Sequence, residues 1–322
     1  MRRQAVRRRR PEGWAAWMLA VVVTVCGLLN APSAAAQASV TTAEPEWRQD
    51  LDAWRARRAQ EIASPDGWLT LAGLEWLQSG ANSIGSAADN SLPLHAKVPE
   101  HIGLLVVSGG AVQLLPTVGG FPPDLTVDGQ PAKEGPLQAG SRPSIVAWHG
   151  LALSILDRGS RFALRIKDSD APARLAFKQL NWYPADPQWS VEAEWIPFAT
   201  PHTETIPTAL ATKLSLFSPG VAVFTLNGLK LTLEPVLENP SDKTLLFIVG
   251  DATGKTTTYE GGRFLHVPLP EHGLDKPGKL ILDFNRLENP ACAYTTYANC
   301  PRPPEANRLP IALEAGEKRY TP

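Results

Sequence analysis

Val221-Ala222-Val223-Phe224-Thr225-Leu226-Asn227-Gly228-Leu229-Lys230-Leu231-Thr232-Leu233-Glu234-Pro235-Val236 decides the fold class. Apolar side chains alternate on both sides of Asn-Gly, a dipeptide that suits the positive φ angles of a type I′ turn. The stretch predicts a β-hairpin, with Ala222, Phe224 and Leu226 facing Leu229, Leu231 and Leu233. A little upstream, Val191-Glu192-Ala193-Glu194-Trp195 alternates like a strand, with both glutamates on one face. Charge on one side of an alternating strand marks its solvated face. The pair therefore reads as the wet side of a sheet rather than as the two carboxylates of a glycosidase.

Working outward, further short runs continue the pattern. Leu245–Val249, Thr256–Tyr259, Phe264–Val267 and Lys279–Phe284 follow the hairpin, with turn signals at Thr253-Gly254-Lys255 and Glu260-Gly261-Gly262. Before it come Trp68–Leu71, Gly103–Val107, Ala111–Leu115, Leu125–Val127, Ser144–Trp148, Leu151–Leu156 and Phe162–Ile166. Strands this short and this closely spaced predict antiparallel sandwich or barrel units. The chain reads as mostly β, with residues 66–180 as a β-sandwich unit and 181–322 as a second β unit. Ahead of both, residues 39–45 read as a linker. Glu46–Ile62 reads as a short amphipathic helix, since Trp47, Leu51 and Trp54 fall at i, i+4 and i+7 while Arg55, Arg57 and Arg58 lie largely off that face.

The chain has 31 Lys and Arg against 32 Asp and Glu, but six of the arginines lie in its first ten residues. An apolar run from Ala15 to Leu29 follows, then Ala36-Gln37-Ala38. Basic segment, short apolar run and A-x-A are the order of a secretory signal peptide, expected to be cleaved after Ala38. The apolar run falls short of the roughly 20 residues of a spanning helix, so no stable membrane span is expected after cleavage. The remaining 284 residues carry 25 basic and 31 acidic side chains, and that acidic balance argues against nucleic-acid binding. A periplasmic or secreted location follows. In an oxidising compartment, Cys292 and Cys300 are expected to form a disulfide, their spacing matching no zinc motif.

Motifs exclude more than they assign. The sequence holds no G-x-S-x-G, no H-E-x-x-H, no Walker loop and no G-x-G-x-x-G. Its six histidines are scattered singly, and His202-Thr203-Glu204 lacks the Pro-Cys-x-x-Cys of zinc deaminases. No metal and no cofactor are expected. The densest constellation runs from Asp283-Phe284-Asn285 through Asn289, Cys292 and Cys300 to Asn307, a loop rich in proline and held against disorder. Its Asp and Asn side chains suit bonding to loop backbone.

Two resemblances emerge. Asn82-Ser83-Ile84-Gly85-Ser86, the runs near Gly103 and Val112, and Leu125-Thr126-Val127-Asp128-Gly129 are similar in layout to a forkhead-associated sandwich. That family reads phosphothreonine with an Arg after Ile-Gly, a Ser-x-x-His and an Asn before the late Gly. Here Ser86 and Asp128 replace the first and last, and the Ser-x-x-His is missing, so no phosphothreonine peptide is expected as partner. Trp68–Leu77, Thr258–Leu265, Asp283–Asn289, the Cys-containing Pro/Asn loop and Ala315-Gly316-Glu317-Lys318 resemble domain-of-unknown-function family 1684, over residues 46–320. Glu75 stands where relatives commonly carry His. The resemblance implies no activity.

The reading these features favour is a noncatalytic binding or assembly module of the cell envelope, its partner a small molecule or envelope component. Candidate ligand-binding residues are Arg263, Asp283, Asn285, Asn289, Asn307, Tyr259 and Glu260, with Arg263 as anion anchor opposite Asp283 on a neighbouring strand. An envelope hydrolase using Asp283 and Arg263 is an alternative, with an internal Arg–Asp brace as the structural counterpart of that pair. Glycan stacking on Trp182, Trp189 and Trp195 is another alternative, against which stands the commoner use of tryptophan as core and sheet covering.

Overall fold

Asn227 and Gly228 adopt positive φ angles of 51° and 77° and close a two-residue turn. Across it Ala222 pairs with Leu233, Phe224 with Leu231 and Leu226 with Leu229, the register the alternation predicts. The computed structural model that shows this describes residues 35–322 apart from Ser141 and Ser160, with side chains from residue 44 onward. The basic and apolar parts of the expected signal peptide lie outside the described residues.

Helix α1 spans Ala35–Ala63, so residues 39–45 are helical rather than a linker, with Pro45 inside the helix. The first β unit contains β1 (Leu71–Trp76), β2 (Gly80–Gly85), β3 (Leu92–Pro93), β4 (Gly103–Ser108), β5 (Ala111–Leu115), β6 (Thr126–Val127), β7 (Gln130–Pro131), β8 (Gly135–Leu137), β9 (Ile145–Trp148), β10 (Leu151–Asp157) and β11 (Phe162–Asp168). They form a six-stranded sheet, β1-β11-β10-β9-β6-β7, and a five-stranded one, β3-β2-β4-β5-β8. Ile84, Leu105, Val112 and Leu114 of one sheet share a core with Val146, Leu153, Ile155, Leu164 and Ile166 of the other, a sandwich-like arrangement. Trp68–Thr70, expected within a strand, is instead a 3-10 turn that leads into β1.

After a one-turn helix α2 (Pro172–Leu175) come β12 (Ser190–Pro207), β13 (Lys213–Leu226), β14 (Leu229–Leu233), β15 (Thr244–Val249), β16 (Arg263–Pro268) and β17 (Gly278–Asp283). The order β14-β13-β12-β17 makes a four-stranded antiparallel sheet, and β15 pairs with β16. Trp195, Phe224, Phe247, Leu265, Phe284, Leu309 and Leu313 fill the core of this unit. Glu192 and Glu194 lie on the outer face, Glu192 in an ion pair with Lys279 at 2.7 Å. Thr256–Tyr259 is not a strand. The amides of Thr256, Thr257 and Thr258 all donate to the Thr253 carbonyl, in a turn begun by Asp251 capping the Thr253 amide.

Leu51 of α1 is fully buried, and Trp54 meets Trp182 edge-on at 5.4 Å. Arg58, placed off the packing face by the sequence, is buried as well. It reaches Glu288 at 3.1 Å and Glu317 at 3.4 Å, two acids that hold its charge inside the protein. Among the described residues no helix is long and apolar enough to cross a membrane.

Candidate functional site

The expected partnership of Arg263 with Asp283 does not occur, because β16 pairs with β15 while β17 pairs with β12. Arg263 is buried and bonds Asp251 at 2.9 Å, the Leu313 carbonyl at 3.0 Å and the Ala315 and Glu317 carbonyls. Burial pulls its guanidinium below the usual value, opposed by Asp251. Asp283 caps the turn that follows β17 and accepts the Trp47 indole N–H at 3.0 Å. The candidate asparagines separate in the same way. Asn285 makes a two-point contact with the backbone of Asp186, and Asn307 with that of Glu234. Asn289 donates to Glu317 and the Lys318 carbonyl. The Asn285 and Asn307 amides each act as a substitute strand partner for a distant segment.

Tyr259 and Glu260 go elsewhere. They line a cavity of about 580 Å³ formed by Gly250–Ala252, the 254–262 turn, Arg308–Pro310 and Arg319. Its shape depends on two glycines. A Cβ on Gly261 would lie 2.4 Å from the Tyr259 ring, and one on Gly262, at φ +90°, would lie 2.3 Å from Pro303. Lys255, Arg308 and Arg319 are exposed at its wall. The Arg319 guanidinium is held by the Thr258 and Gly254 carbonyls. Asp251 beneath is committed to Arg263, so Glu260 is the remaining acid of the lining. Burial pushes the Tyr259 phenol up from a value already well above neutral pH, so its hydroxyl is a donor there. The wall thus offers three cations and a hydroxyl, the equipment for holding a carboxylate or phosphate.

A second, smaller cleft of about 320 Å³ is lined by Asp50 and Trp54 of α1, Thr244, His266, Pro268, Arg286 and Glu288. Burial raises the Glu288 carboxyl to about 7 in spite of Arg58, and burial followed by Arg58 lowers the His266 imidazole. The two side chains approach to 3.7 Å. No motif marked this pair. The available signal was the alternation of Phe264-Leu265-His266-Val267, which sends His266 outward.

Of the tryptophans, Trp195 is buried with its indole donating to the Leu274 carbonyl, so it has no face for a sugar. Trp182 is covered by Trp54 and Arg55, and Trp189 packs against the second core. Cys292 and Cys300 are disulfide-bonded.

The molecule is a mostly β protein with sandwich-like sheets, a crosslinked C-terminal loop, and a cationic cavity walled by segments 250–262 and 308–310 and by Arg319. Residues 175–318 match the model of the family described as Protein of unknown function (DUF1684), which takes in the second β unit and leaves Trp68–Leu77 outside. A solved structure that is similar is the solution NMR structure of the uncharacterized protein from gene locus rrnAC0354 of Haloarcula marismortui. The identity is 29%, over 45% of this chain and 78% of that one, with a TM-score of 0.39. No curated protein matches the chain. The forkhead-associated likeness rests on the sequence alone.

Proposed function

We propose that this is an exported, noncatalytic binding module of the cell envelope whose C-terminal cavity takes a small anionic ligand. The observation that carries the reading is the gathering of Lys255, Arg308 and Arg319 on one cavity wall, with the Arg319 guanidinium held by backbone carbonyls. Holding the guanidinium beforehand lowers the ordering cost of binding. Export is supported by the order of the N-terminal segment and by the Cys292–Cys300 bridge, a bond that persists in oxidising compartments.

The test is a thermal-shift and calorimetric screen of the wild-type protein against inorganic phosphate, phosphate monoesters and dicarboxylates. At least one class is expected to bind, more weakly as salt rises, and Arg308→Ala/Arg319→Ala to lose at least about tenfold in affinity. A variant that binds as well as the wild type, or a screen without a hit, removes this reading. The N-terminus of the exported protein, by mass spectrometry, is expected at Ser39; a membrane-retained full-length chain would overturn export.

A hydrolytic reading has one observation in its favour, and it moves the chemistry from Asp283 and Arg263 to the smaller cleft. Glu288, raised to about 7, can hold or release a proton near neutral pH, and it stands 3.7 Å from His266, whose value burial lowers. An ester and glycoside panel that shows turnover abolished by Glu288→Gln would favour this reading over simple binding.

A further inference from the structure

We infer that His202, Glu204 and Glu234 form a binding site for a single divalent transition ion of the zinc type, separate from the cavity and cleft above. His202 and Glu204 are two apart on β12 and point to the same face of the sheet. Glu234 follows β14 directly and is held in place by Asn307, which bonds both its amide and its carbonyl, at 2.7 and 2.8 Å. The His202 Nε2 atom lies 3.6 Å from Glu204 Oε2 and 2.9 Å from Glu234 Oε1, and the ligand atoms of all three residues fall within 4.8 Å of one another. Two ligands bound at about 2.1 Å in a tetrahedron stand about 3.4 Å apart, so the cluster needs only small side-chain adjustments.

Two buried oxygens around His202 indicate that something is to be held there. Glu234 Oε1 is shielded from solvent and accepts no hydrogen bond, its near neighbour being the His202 Nε2 atom at 2.9 Å. Ser218 is fully buried, its hydroxyl also without a partner, and the strand register sets it directly opposite His202 on the same face. Unpaired buried oxygens are costly, and a cation converts that cost into coordination. The same face of the ladder continues into Ile206 and Leu216, which pack with Val236, Leu246 and Ile248. An apolar floor beside a charged ligand set strengthens its hold on an ion. One imidazole and two carboxylates neutralise a divalent charge, and a nitrogen ligand favours zinc-type ions over calcium or magnesium. Three protein ligands leave a fourth position for water. The sequence displayed only His202-Thr203-Glu204; the third ligand is thirty residues on, brought in by the hairpin.

The experiment uses the chelator-treated full mature protein, disulfide intact, titrated with Zn²⁺ by calorimetry and with Co²⁺ by visible absorption. One ion per chain is expected, with Co²⁺ bands of low-symmetry N/O coordination. His202→Ala and Glu234→Gln are each expected to abolish those bands and to weaken Zn²⁺ by more than the 10–100-fold typical of outer-shell changes. His272→Ala, at an exposed histidine outside the cluster, is expected to keep both signals. His202 is partly exposed, so its removal is not expected to unfold the protein, and a thermal melt of the chelated variant checks this. Wild-type protein that binds no Zn²⁺ at micromolar concentration, or a His202→Ala protein that binds as the wild type does, overturns the site.

Discussion

Arg263 shows how one side chain can look like a ligand anchor in sequence and serve as a brace in the fold. The loop behind it, Leu313 to Glu317, has too little strand pairing to satisfy its own carbonyls, and Arg263 supplies the donors. Its charge is met by Asp251, itself buried and occupied by the Thr253 and Leu313 amides. Arg263→Ala would strand the Asp251 carboxylate and three carbonyls. A loss of about 3–5 kcal/mol in urea unfolding is expected, the range for breaking a buried pair on one side. Arg263→Lys should recover only part, because an ammonium cannot span Asp251 and the loop carbonyls together. A change below about 1 kcal/mol for Arg263→Ala would show that the loop is held without it. The asparagines behave alike: Asn285, Asn289 and Asn307 spend their amides on distant segments, which is why none of them faces a cavity.

Among elements, the β13–β14 hairpin is the one most fully written in the sequence, and the turn is what fixes it. Gly228 sits at φ +77° with nothing near its missing Cβ, so Gly228→Ala meets backbone strain and no clash. A loss of about 1 kcal/mol is expected in thermal or urea unfolding, while Asn227→Gly should cost less because glycine accepts the same φ. Equal stability of Gly228→Ala and wild type would mean the register is set by side-chain pairing alone. The alternating run Val191–Trp195 was legible for the same reason as the hairpin, one face being buried and the other wet, whereas Leu151–Leu156 was legible as a short apolar run buried on both faces. Thr256–Tyr259 misled because three β-branched residues imitate a strand, whereas the turn is decided by Asp251, five residues earlier. The full length of β12 was hidden for the opposite reason. Beyond Trp195 it carries prolines and polar residues, and pairing with β13 rather than its own alternation keeps it extended.

In the whole molecule, the site was legible only where chemistry and chain order coincide. Tyr259 and Glu260 were visible beside a glycine pair, but Arg308 and Arg319 reach the same cavity from a loop whose path no local pattern specifies. The buried cluster around Glu317 is of that kind too. Arg58 of α1, Glu288, Asn289, Tyr294 and Glu317 join the helix, the crosslinked loop and the C-terminal segment in one buried network. Burial raises the Tyr294 phenol, leaving it a hydroxyl donor to Glu317. Glu288 makes the network sensitive to pH. Its folded value of about 7 stands against an ordinary 4.5, so the folded protein holds this proton more tightly than the unfolded chain. The stabilisation it gives is complete below about pH 4.5 and is lost as the pH rises through about 7, a swing of about 3 kcal/mol. His266, with its value lowered, acts in the other sense, its contribution present above about pH 6.5 and lost on acidification through its folded value. The two must therefore be separated by substitution. Urea unfolding of wild type and Glu288→Gln at steps from pH 5 to pH 8 should show the wild type losing stability relative to the variant by up to about 3 kcal/mol across that range. The same comparison in a His266→Ala background should keep that trend, since the burial of Glu288 beside α1 is its main cause. Parallel curves for wild type and Glu288→Gln would mean that Glu288 titrates like an exposed carboxylate, and the proton-holding role of the network would fall with it.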